Sequence, residues 1–168
     1  MGWMDILKAI NKIVIIDFDK TLFYTPEHTE DNRKKWEEVY GKEYPHIGWW
    51  GKPESLDTDV FDIPVNEEIL TKYKECESDS TCMTVLCTGR ISKLEEEVKA
   101  LFKEHGINFD REYFTKGGTL KHKLKTFEDL YQEYPNAQIT SYDDREDHLP
   151  HFQKWAEDKE NVDIIHVK

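Results

Sequence analysis

Two aspartates separated by one residue, Asp17 and Asp19, directly follow a short apolar stretch at residues 13–16. Two neighbouring carboxylates cannot both behave as ordinary acids, so their roles tend to divide into a nucleophile and a proton carrier. A bound divalent cation would offset their repulsion, and carboxylate oxygens suit Mg²⁺. From the spacing alone, aspartates that cap a loop at the end of a strand are an equally good interpretation.

Polar residues follow two further apolar stretches. Thr88 ends the stretch at 83–87 and precedes Gly89, which lets a phosphate approach the backbone. Asp143 and Asp144 follow a weaker stretch at 138–142. The segment before that stretch contains two lysines within one helical turn, Lys121 and Lys123.

The elements that position these residues alternate between strands and helices. The apolar stretches predict strands over 13–16, 83–87, 138–142 and 162–167. Apolar residues at helical spacing predict helices over 92–104, with Ser92 as N-cap, and over 119–134. This alternation predicts an α/β fold, a Rossmann-like parallel sheet flanked by helices.

The stretch from Leu22 to Asp79 fits this alternation less well. It contains four of the six prolines and three of the five tryptophans. Helices are predicted near 30–40 and 66–75, with a turn-rich segment between them. We therefore expect one domain over 1–168, in which residues 22–79 form a small cap-like insertion after the first strand.

Composition excludes several classes of protein. The chain has 168 residues, of which 38% are hydrophobic and 35% charged, and 5 Trp, 8 Tyr and 8 Phe supply buried area that disordered chains lack. The net charge of −12 disfavours long, non-specific nucleic acid and anionic membranes.

The cysteine pattern and the absence of targeting signals bear on location. Cys76, Cys82 and Cys87 are an odd number without a CxxC motif, which indicates buried thiols in a reducing compartment rather than disulfides or zinc. The N-terminus is too polar for a signal peptide, and no apolar run is long enough to span a membrane. We expect a cytoplasmic protein.

The ordered set of DxDxT, a hydrophobic run ending in TGR, a helix lysine and a hydrophobic run ending in DD resembles the haloacid dehalogenase (HAD) superfamily of phosphotransferases. Three further motifs resemble its Swiss Army Knife RNA repair-like branch: GWWxxPxxL at 48–56, TxxxK at 119–123 and YDDRxxH at 142–148. Asp143 stands where the branch usually has Glu, and His122 where it has an aromatic residue before the lysine.

The resemblance implies a role for each matching residue. Asp17 would be the nucleophile that forms an aspartyl-phosphate, and Asp19 the general acid and base. Thr88 and a lysine would hold the phosphoryl oxygens, with Lys123 as first choice and Lys121 as the alternative. Asp17, the backbone carbonyl of Asp19, and Asp144 with Asp143 would bind Mg²⁺.

Four further side chains are candidates for substrate binding beside Gly89. Arg90 and Arg145 are expected to contact phosphate or to form surface ion pairs. Trp49 and Trp50 would form a base-stacking platform or pack in the core.

Three functions remain open from the sequence. The first is a Mg²⁺-dependent phosphohydrolase acting on a phosphomonoester, either a nucleic-acid terminus or nucleotide or a phosphorylated small molecule. The second is a phosphotransferase or phosphomutase of the same fold, which differs in the acceptor of the phosphate. The third is a non-catalytic binding module, against which the complete set of candidate catalytic residues argues.

Overall fold

A computed structural model describes residues 10–168 of the protein. The prediction that the N-terminus is too polar for a signal peptide rests on residues that mostly lie outside the described range. No helix in the described range is long and apolar enough to cross a membrane. The cellular compartment remains a prediction.

The core of the fold is a parallel sheet with the strand order β3-β2-β1-β4-β5. The strands are β1 (Lys12–Ile16), β2 (Cys82–Ile91), β3 (Arg111–Thr115), β4 (Gln138–Asp143) and β5 (Val162–His166). At the carboxyl end of β1, Ile16 pairs with Leu86 of β2 and with Tyr142 of β4. The predicted α/β fold with a parallel sheet is confirmed.

Five α-helices flank the sheet in the described residues. They are α1 (Glu30–Tyr40), α2 (Glu67–Glu77), α3 (Glu95–Glu104), α4 (Thr119–Glu133) and α5 (Leu149–Ala156), with 3₁₀ helices at Pro53–Leu56 and Ser92–Leu94. The side chains of Thr29 and Asn66 cap α1 and α2 by accepting backbone N–H groups of the first turn. The sequence predicted Ser92 as the N-cap of α3. This prediction was wrong, because a 3₁₀ turn that begins at Ser92 precedes the helix.

Alternation along β1 divides the core into two layers. Ile13 and Ile15 pack with Phe127 of α4 and Phe152 of α5 on one face of the sheet. Ile16 belongs to the cluster on the other face, together with apolar residues of α2, α3 and the segment between β1 and α2. A buried sheet between two helical layers holds the strand ends in fixed positions.

The segment between β1 and β2 provides much of the second layer. Its buried aromatic residues pack against one another and α3, and they include Trp36, Tyr44, Trp49 and Phe61. Helix α2 also belongs to this segment, and its Tyr73 packs on Phe109 with ring centroids 5.1 Å apart. The boundaries 22–79 of the cap-like insertion remain a prediction.

The cysteines differ from the expectation of three free thiols. Cys76, at the end of α2, and Cys82, at the start of β2, form a disulfide. The prediction from the odd number of cysteines was wrong for this pair, because the short connection between helix and strand brings two residues six positions apart together. Cys87 is free and buried.

Candidate active site

The site begins where β1 ends. The N–H of Asp17 donates to the carbonyl of Tyr142 at 3.0 Å, which continues the pairing of β1 with β4 by one residue. The chain then turns, and the Phe18 carbonyl accepts the N–H groups of Leu22 and Phe23 at 3.1 Å each. Lys20 adopts a φ of 58° in this turn, a left-handed conformation that is uncommon outside glycine. The turn lets Asp17 and Asp19 point to different partners.

Lys123 joins two of the predicted site residues. Its Nζ donates to Asp17 Oδ1 at 3.0 Å and to Asp143 Oδ2 at 2.6 Å. All three side chains are almost fully buried. Lys121, two residues earlier on α4, is exposed. The structure therefore brings Lys123 into the carboxylate cluster and leaves Lys121 outside it.

Thr21 connects the two aspartate-bearing loops. Its Oγ1 lies 3.1 Å from Asp17 Oδ2 and 3.3 Å from Asp144 Oδ1, and as a single hydroxyl it donates one hydrogen. Sequence reasoning assigned no role to Thr21, although it is the last residue of the DxDxT motif. Its position in that motif was the available signal.

A divalent cation fits the carboxylate cluster. One oxygen each of Asp17, Asp143 and Asp144 lies within 4.8 Å of the others. Three carboxylates against the single ammonium of Lys123 leave excess negative charge in a buried place, and oxygen-only donors are those that Mg²⁺ prefers. The side chain of Asp19 is not part of this group, and metal binding by its backbone carbonyl stays a prediction.

Burial and like charge shift the pKa values of this cluster. Burial, followed by repulsion from Asp143, raises the pKa of Asp17 well above its usual value. Burial also raises the pKa of Asp144. Burial opposes the charge of Lys123, but the carboxylates of Asp17 and Asp143 outweigh it and raise the pKa of the lysine. Lys123 is therefore positively charged at neutral pH, whereas the ionised form of Asp17 requires nearby cations to stabilise it.

Arg90 holds the carboxylate of Asp19. Its Nε lies 2.9 Å from Asp19 Oδ2 and its Nη2 lies 2.7 Å from Oδ1, a bidentate pair, and Thr25 Oγ1 donates to Oδ1 at 2.7 Å. Its Nη1 donates to the Trp50 carbonyl and to Ser55 Oγ at 2.6 Å each. The side chain of Arg90 is 1% exposed. Arg90 therefore forms a buried ion pair rather than the alternative surface ion pair, and its contact with phosphate stays a prediction.

Thr88 and Gly89 lie within β2, in the part where its pairing with β3 shifts register between Cys87 and Ile91. Thr88 is fully buried, and its Oγ1 accepts the N–H of Arg90 at 3.0 Å. A Cβ on Gly89 would lie 2.7 Å from Thr119 Cγ2, so the start of α4 requires a glycine there. This close approach is a second reason for the glycine, in addition to the predicted access of phosphate to the backbone.

An open cavity of about 460 Å³ lies over the cluster. Its lining residues are Asp17, Asp19, Lys20, Trp50, Gly89, Arg90, Thr119, Lys123, Asp144 and Arg145. Trp50 is 41% exposed, and the Arg145 side chain is 46% exposed and pairs with Asp147 at 2.7 Å. Both are therefore accessible to a molecule that enters the cavity.

Trp49 does not join Trp50 at the cavity. It is 1% exposed, its Nε1 donates to the Pro26 carbonyl at 2.9 Å, and it packs against Phe61. The predicted base-stacking role of Trp49 is therefore not compatible with its place in the core. The alternative, core packing, describes it.

Solved structures of known proteins share this architecture. A HAD-superfamily hydrolase, subfamily IA, from Geobacter sulfurreducens matches with a TM-score of 0.55 and 13% identity, over 94% of this chain and 87% of that one. A chain of the Pnkp1/Rnl/Hen1 complex matches with a TM-score of 0.58 and 13% identity, over 95% of this chain and 46% of that one. The fold is that of the HAD superfamily.

Comparison by sequence identifies the family within the HAD superfamily. Residues 39–168 match the family described as HAD domain family 1 in Swiss Army Knife RNA repair proteins, and the chain belongs to that family. The matched range begins after Asp17 and Asp19 and includes Thr88, Lys123 and the two adjacent aspartates. An uncharacterized protein of Saccharomyces cerevisiae is 26% identical over 88% of this chain, which spans 37% of that protein.

Proposed function

We propose that the protein is a Mg²⁺-dependent phosphohydrolase that cleaves a phosphomonoester through an aspartyl-phosphate on Asp17. One observation carries the proposal: the buried ammonium of Lys123 lies 3.0 Å from Asp17 Oδ1, and both residues line an open cavity. A buried carboxylate with one cationic partner that still lines an accessible cavity is placed to act as a nucleophile. Membership of a HAD family supports the same chemistry.

In the first step, a carboxylate oxygen of Asp17 forms a bond to phosphorus, and the bond between phosphorus and the ester oxygen breaks. Asp19, in its protonated form, gives its proton to the leaving oxygen, so that an alcohol departs. Asp19 lines the same cavity as Asp17, and its side chain is 22% exposed, so the leaving group has access to it. The product of this step is a phosphorylated Asp17.

In the second step, water attacks the phosphorus of phosphorylated Asp17. Asp19, now ionised, takes a proton from the water, and the bond between phosphorus and Asp17 breaks. Inorganic phosphate leaves and Asp17 returns as a carboxylate. The bidentate pair with Arg90 fixes the position of the Asp19 carboxyl group for both steps.

Charge develops on the phosphoryl oxygens in both steps. Lys123 and Thr88 are proposed to stabilise it from the protein side, as a fixed cation and a hydrogen-bond donor. Asp17, Asp143 and Asp144 would hold Mg²⁺, together with the carbonyl of Asp19, and the bound ion would supply further positive charge for the phosphoryl group.

For the substrate, we propose the phosphorylated end of a nucleic acid or a nucleotide. The cavity is open, and its accessible lining includes an aromatic side chain, Trp50, and a guanidinium, Arg145, which suit a base and a further phosphate. The RNA repair family and the fold shared with a chain of the Pnkp1/Rnl/Hen1 complex support this substrate class. The net charge of −12 opposes binding along the length of a nucleic acid and leaves the terminus as the point of recognition.

The test is hydrolysis of p-nitrophenyl phosphate with Mg²⁺, followed by release of phosphate from oligonucleotides phosphorylated at the 3′ or 5′ end and from a panel of phosphorylated metabolites. Asp163→Asn, an exposed aspartate of β5, is the matched control for Asp17→Asn. We expect the control to keep full activity and Asp17→Asn to lose it. A hydrolysis rate of Asp17→Asn within tenfold of that of the parent would contradict the proposal.

A further inference from the structure

A second cavity, of about 570 Å³, adjoins the active-site cavity. It is lined by Tyr24, Thr25, Glu146, His166 and residues 167–168, together with Lys20 and Asp144. The last two residues also line the active-site cavity, so the two cavities meet beside the carboxylate cluster. Because His166 is the last residue of β5, we call the second one the β5 cavity.

The sheet places the two cavities side by side. The active-site cavity includes Gly89 of β2, the β5 cavity includes His166 of β5, and the strand order between them is β2-β1-β4-β5. All these strands are parallel, so their carboxyl ends lie at one edge of the sheet. At the usual strand spacing the two cavities together extend over about 14 Å. Asp17, at the end of β1, lies between their outer ends.

Each cavity contains one exposed aromatic side chain. Trp50, which is 41% exposed, lines the active-site cavity, and Tyr24, which is 48% exposed, lines the β5 cavity. Within residues 10–168 the third exposed tyrosine or tryptophan is Tyr40, which lines neither of them. Exposed aromatic faces stack nucleic-acid bases. Each of the two cavities therefore provides a surface for one base.

Lys20 places a positive charge where the cavities meet. Its φ of 58° is a conformation that glycine would adopt at less cost, and its ion pair with Glu27 joins two exposed side chains and adds little stability. A ligand therefore explains this lysine better than the fold does. An ammonium group at this position suits a phosphodiester. Glu146, in the same cavity, is exposed, so solvent screens its opposing charge.

The shape of a terminal nucleotide matches two cavities that meet at one reacting centre. Its sugar carries three groups: the terminal phosphate, the base and the phosphodiester to the next nucleotide. With the terminal phosphate at Asp17, the other two groups must leave in different directions. A mononucleotide has only the base, and it would leave one cavity empty.

We propose that the β5 cavity binds the second nucleotide of an oligonucleotide end, with its base on Tyr24 and the linking phosphodiester at Lys20. The terminal base then lies on Trp50. This inference rests on the proposed function, because it places the terminal phosphate at Asp17. It makes an oligonucleotide end, rather than a mononucleotide, the preferred substrate.

The first test compares kcat/KM for a mononucleotide, a dinucleotide and a trinucleotide, all phosphorylated at whichever end, 3′ or 5′, the parent hydrolyses faster. We expect the dinucleotide to exceed the mononucleotide at least about tenfold, as one further stacked base should give. The trinucleotide should lie within about threefold of the dinucleotide, since the β5 cavity holds one nucleotide. Equal values for the mononucleotide and the dinucleotide would overturn the proposal. A further tenfold gain with the trinucleotide would also overturn it, because binding would then extend along the strand.

Matched variants locate the second nucleotide. Tyr24→Ala should reduce the ratio of kcat/KM for the dinucleotide to that for the mononucleotide to near one, whereas Tyr24→Phe, which keeps the ring, should preserve it. Tyr40→Ala, the same change at an exposed tyrosine outside both cavities, should leave the ratio unchanged. Lys20→Asn should also lower the ratio, and asparagine tolerates the left-handed conformation. Melting temperatures show whether each variant is folded, and equal effects of Tyr24→Ala and Tyr40→Ala would overturn the assignment.

Binding without turnover separates this inference from the proposed function. Isothermal titration calorimetry of Asp17→Asn with Mg²⁺ compares the phosphorylated dinucleotide with the mononucleotide, with and without Tyr24→Ala. We expect the dinucleotide to bind at least about tenfold more tightly, and Tyr24→Ala to remove the difference. That result, with a parent that hydrolyses no phosphomonoester, would contradict the proposed function and leave the second-nucleotide site in place. Equal affinities would overturn the second-nucleotide site whatever the activity of the parent.

Discussion

Lys123 Nζ lies 3.0 Å from Asp17 Oδ1, although the two residues are 106 positions apart in the chain. The parallel sheet creates this contact, because β1 delivers Asp17 to the edge from which α4 starts. Residues two positions apart on a helix point about 200° away from each other, so Lys121 cannot share the position of Lys123. The exposure of Lys121 agrees with this geometry.

Replacing the two lysines should therefore have unequal effects. Lys123→Met removes the cation beside Asp17 and should lower kcat by about 10² or more, because a charge contact in the transition state is lost. Lys121→Met should change kcat by less than about threefold, since it alters an exposed charge. Steady-state kinetics with p-nitrophenyl phosphate measure both, and the reverse ranking would assign the phosphate contact to Lys121.

Arg90 acts as a positioning residue in this account, since its guanidinium orients Asp19 and contacts Ser55 and the Trp50 backbone. Arg90→Lys keeps the charge but loses the bidentate geometry. We expect the loss of kcat to be at least about tenfold greater for an alkyl phosphate than for p-nitrophenyl phosphate, because only the poorer leaving group depends on a proton from Asp19.

Arg111→Lys, which alters an ion pair with Glu133 away from the site, is the matched control for Arg90→Lys. Arg111→Lys should leave kcat unchanged for both substrates. If Arg90→Lys slowed both substrates equally, Arg90 would have a structural role only.

The cluster of Asp17, Asp143 and Asp144 leads us to expect that activity depends on a metal ion. A chelator should abolish activity and Mg²⁺ restore it, while Ca²⁺ should substitute poorly because its larger, flexible shell misplaces the nucleophile. Asp144→Asn should raise the Mg²⁺ concentration for half-maximal activity at least about tenfold, as expected when a charged ligand is lost. Asp147→Asn alters a nearby carboxylate outside the cluster and should leave this requirement unchanged. Full activity in EDTA would refute the metal site.

The thiols provide a test of the fold that does not depend on activity. Cys87 is buried, which raises the pKa of its thiol to about 12, so the native protein should not react with a thiol reagent near neutral pH. After unfolding without reductant, one thiol should react, because Cys76 and Cys82 form a disulfide. Three reactive thiols under those conditions would show that the disulfide is absent.

The free energy of unfolding should depend on pH through the thiol of Cys87. From the model-compound value of 9.0 up to about 12, the folded chain retains the Cys87 proton and the unfolded chain releases it. The contribution of Cys87 to the unfolding free energy is therefore complete below about pH 9 and is lost as the pH rises toward 12. The difference in urea midpoint between the parent and Cys87→Ala should shrink over that interval. A difference in urea midpoint that stays constant over this pH interval would show that the pKa of Cys87 is not raised in the folded chain.

Much of the sheet could be predicted from the sequence because buried parallel strands are continuous apolar runs. The strands β1 and β2 are of this kind, whereas β4 is a weaker apolar stretch with alternating burial, and the candidate aspartates lie at or just after the ends of β1 and β4. The strand β3 was missed because its sequence, REYFT, is mostly half-buried at the sheet edge and lacks an apolar run. Helix α5 was also missed, since it is only eight residues long.

The roles of individual side chains depended on contacts that no local pattern shows. Arg90 stands in the motif that predicts phosphate binding, yet its guanidinium is enclosed by Asp19, Ser55 and Trp50 from distant parts of the chain. The neighbouring tryptophans 49 and 50 have the same side chain, and only the packing of the insertion buries one and exposes the other. Sequence spacing could define the candidate set, but not which members reach the cavity.

The aspartyl-phosphate on Asp17 can be detected directly by trapping the phosphorylated enzyme. Protein turning over p-nitrophenyl phosphate with Mg²⁺ is quenched with sodium borohydride, which reduces an aspartyl-phosphate to homoserine, and the peptides are analysed by mass. We expect homoserine at position 17 only when substrate and Mg²⁺ are both present, and a larger amount with Asp19→Asn, which slows hydrolysis of the intermediate. Turnover without modification at position 17, or with modification at another aspartate, would contradict it.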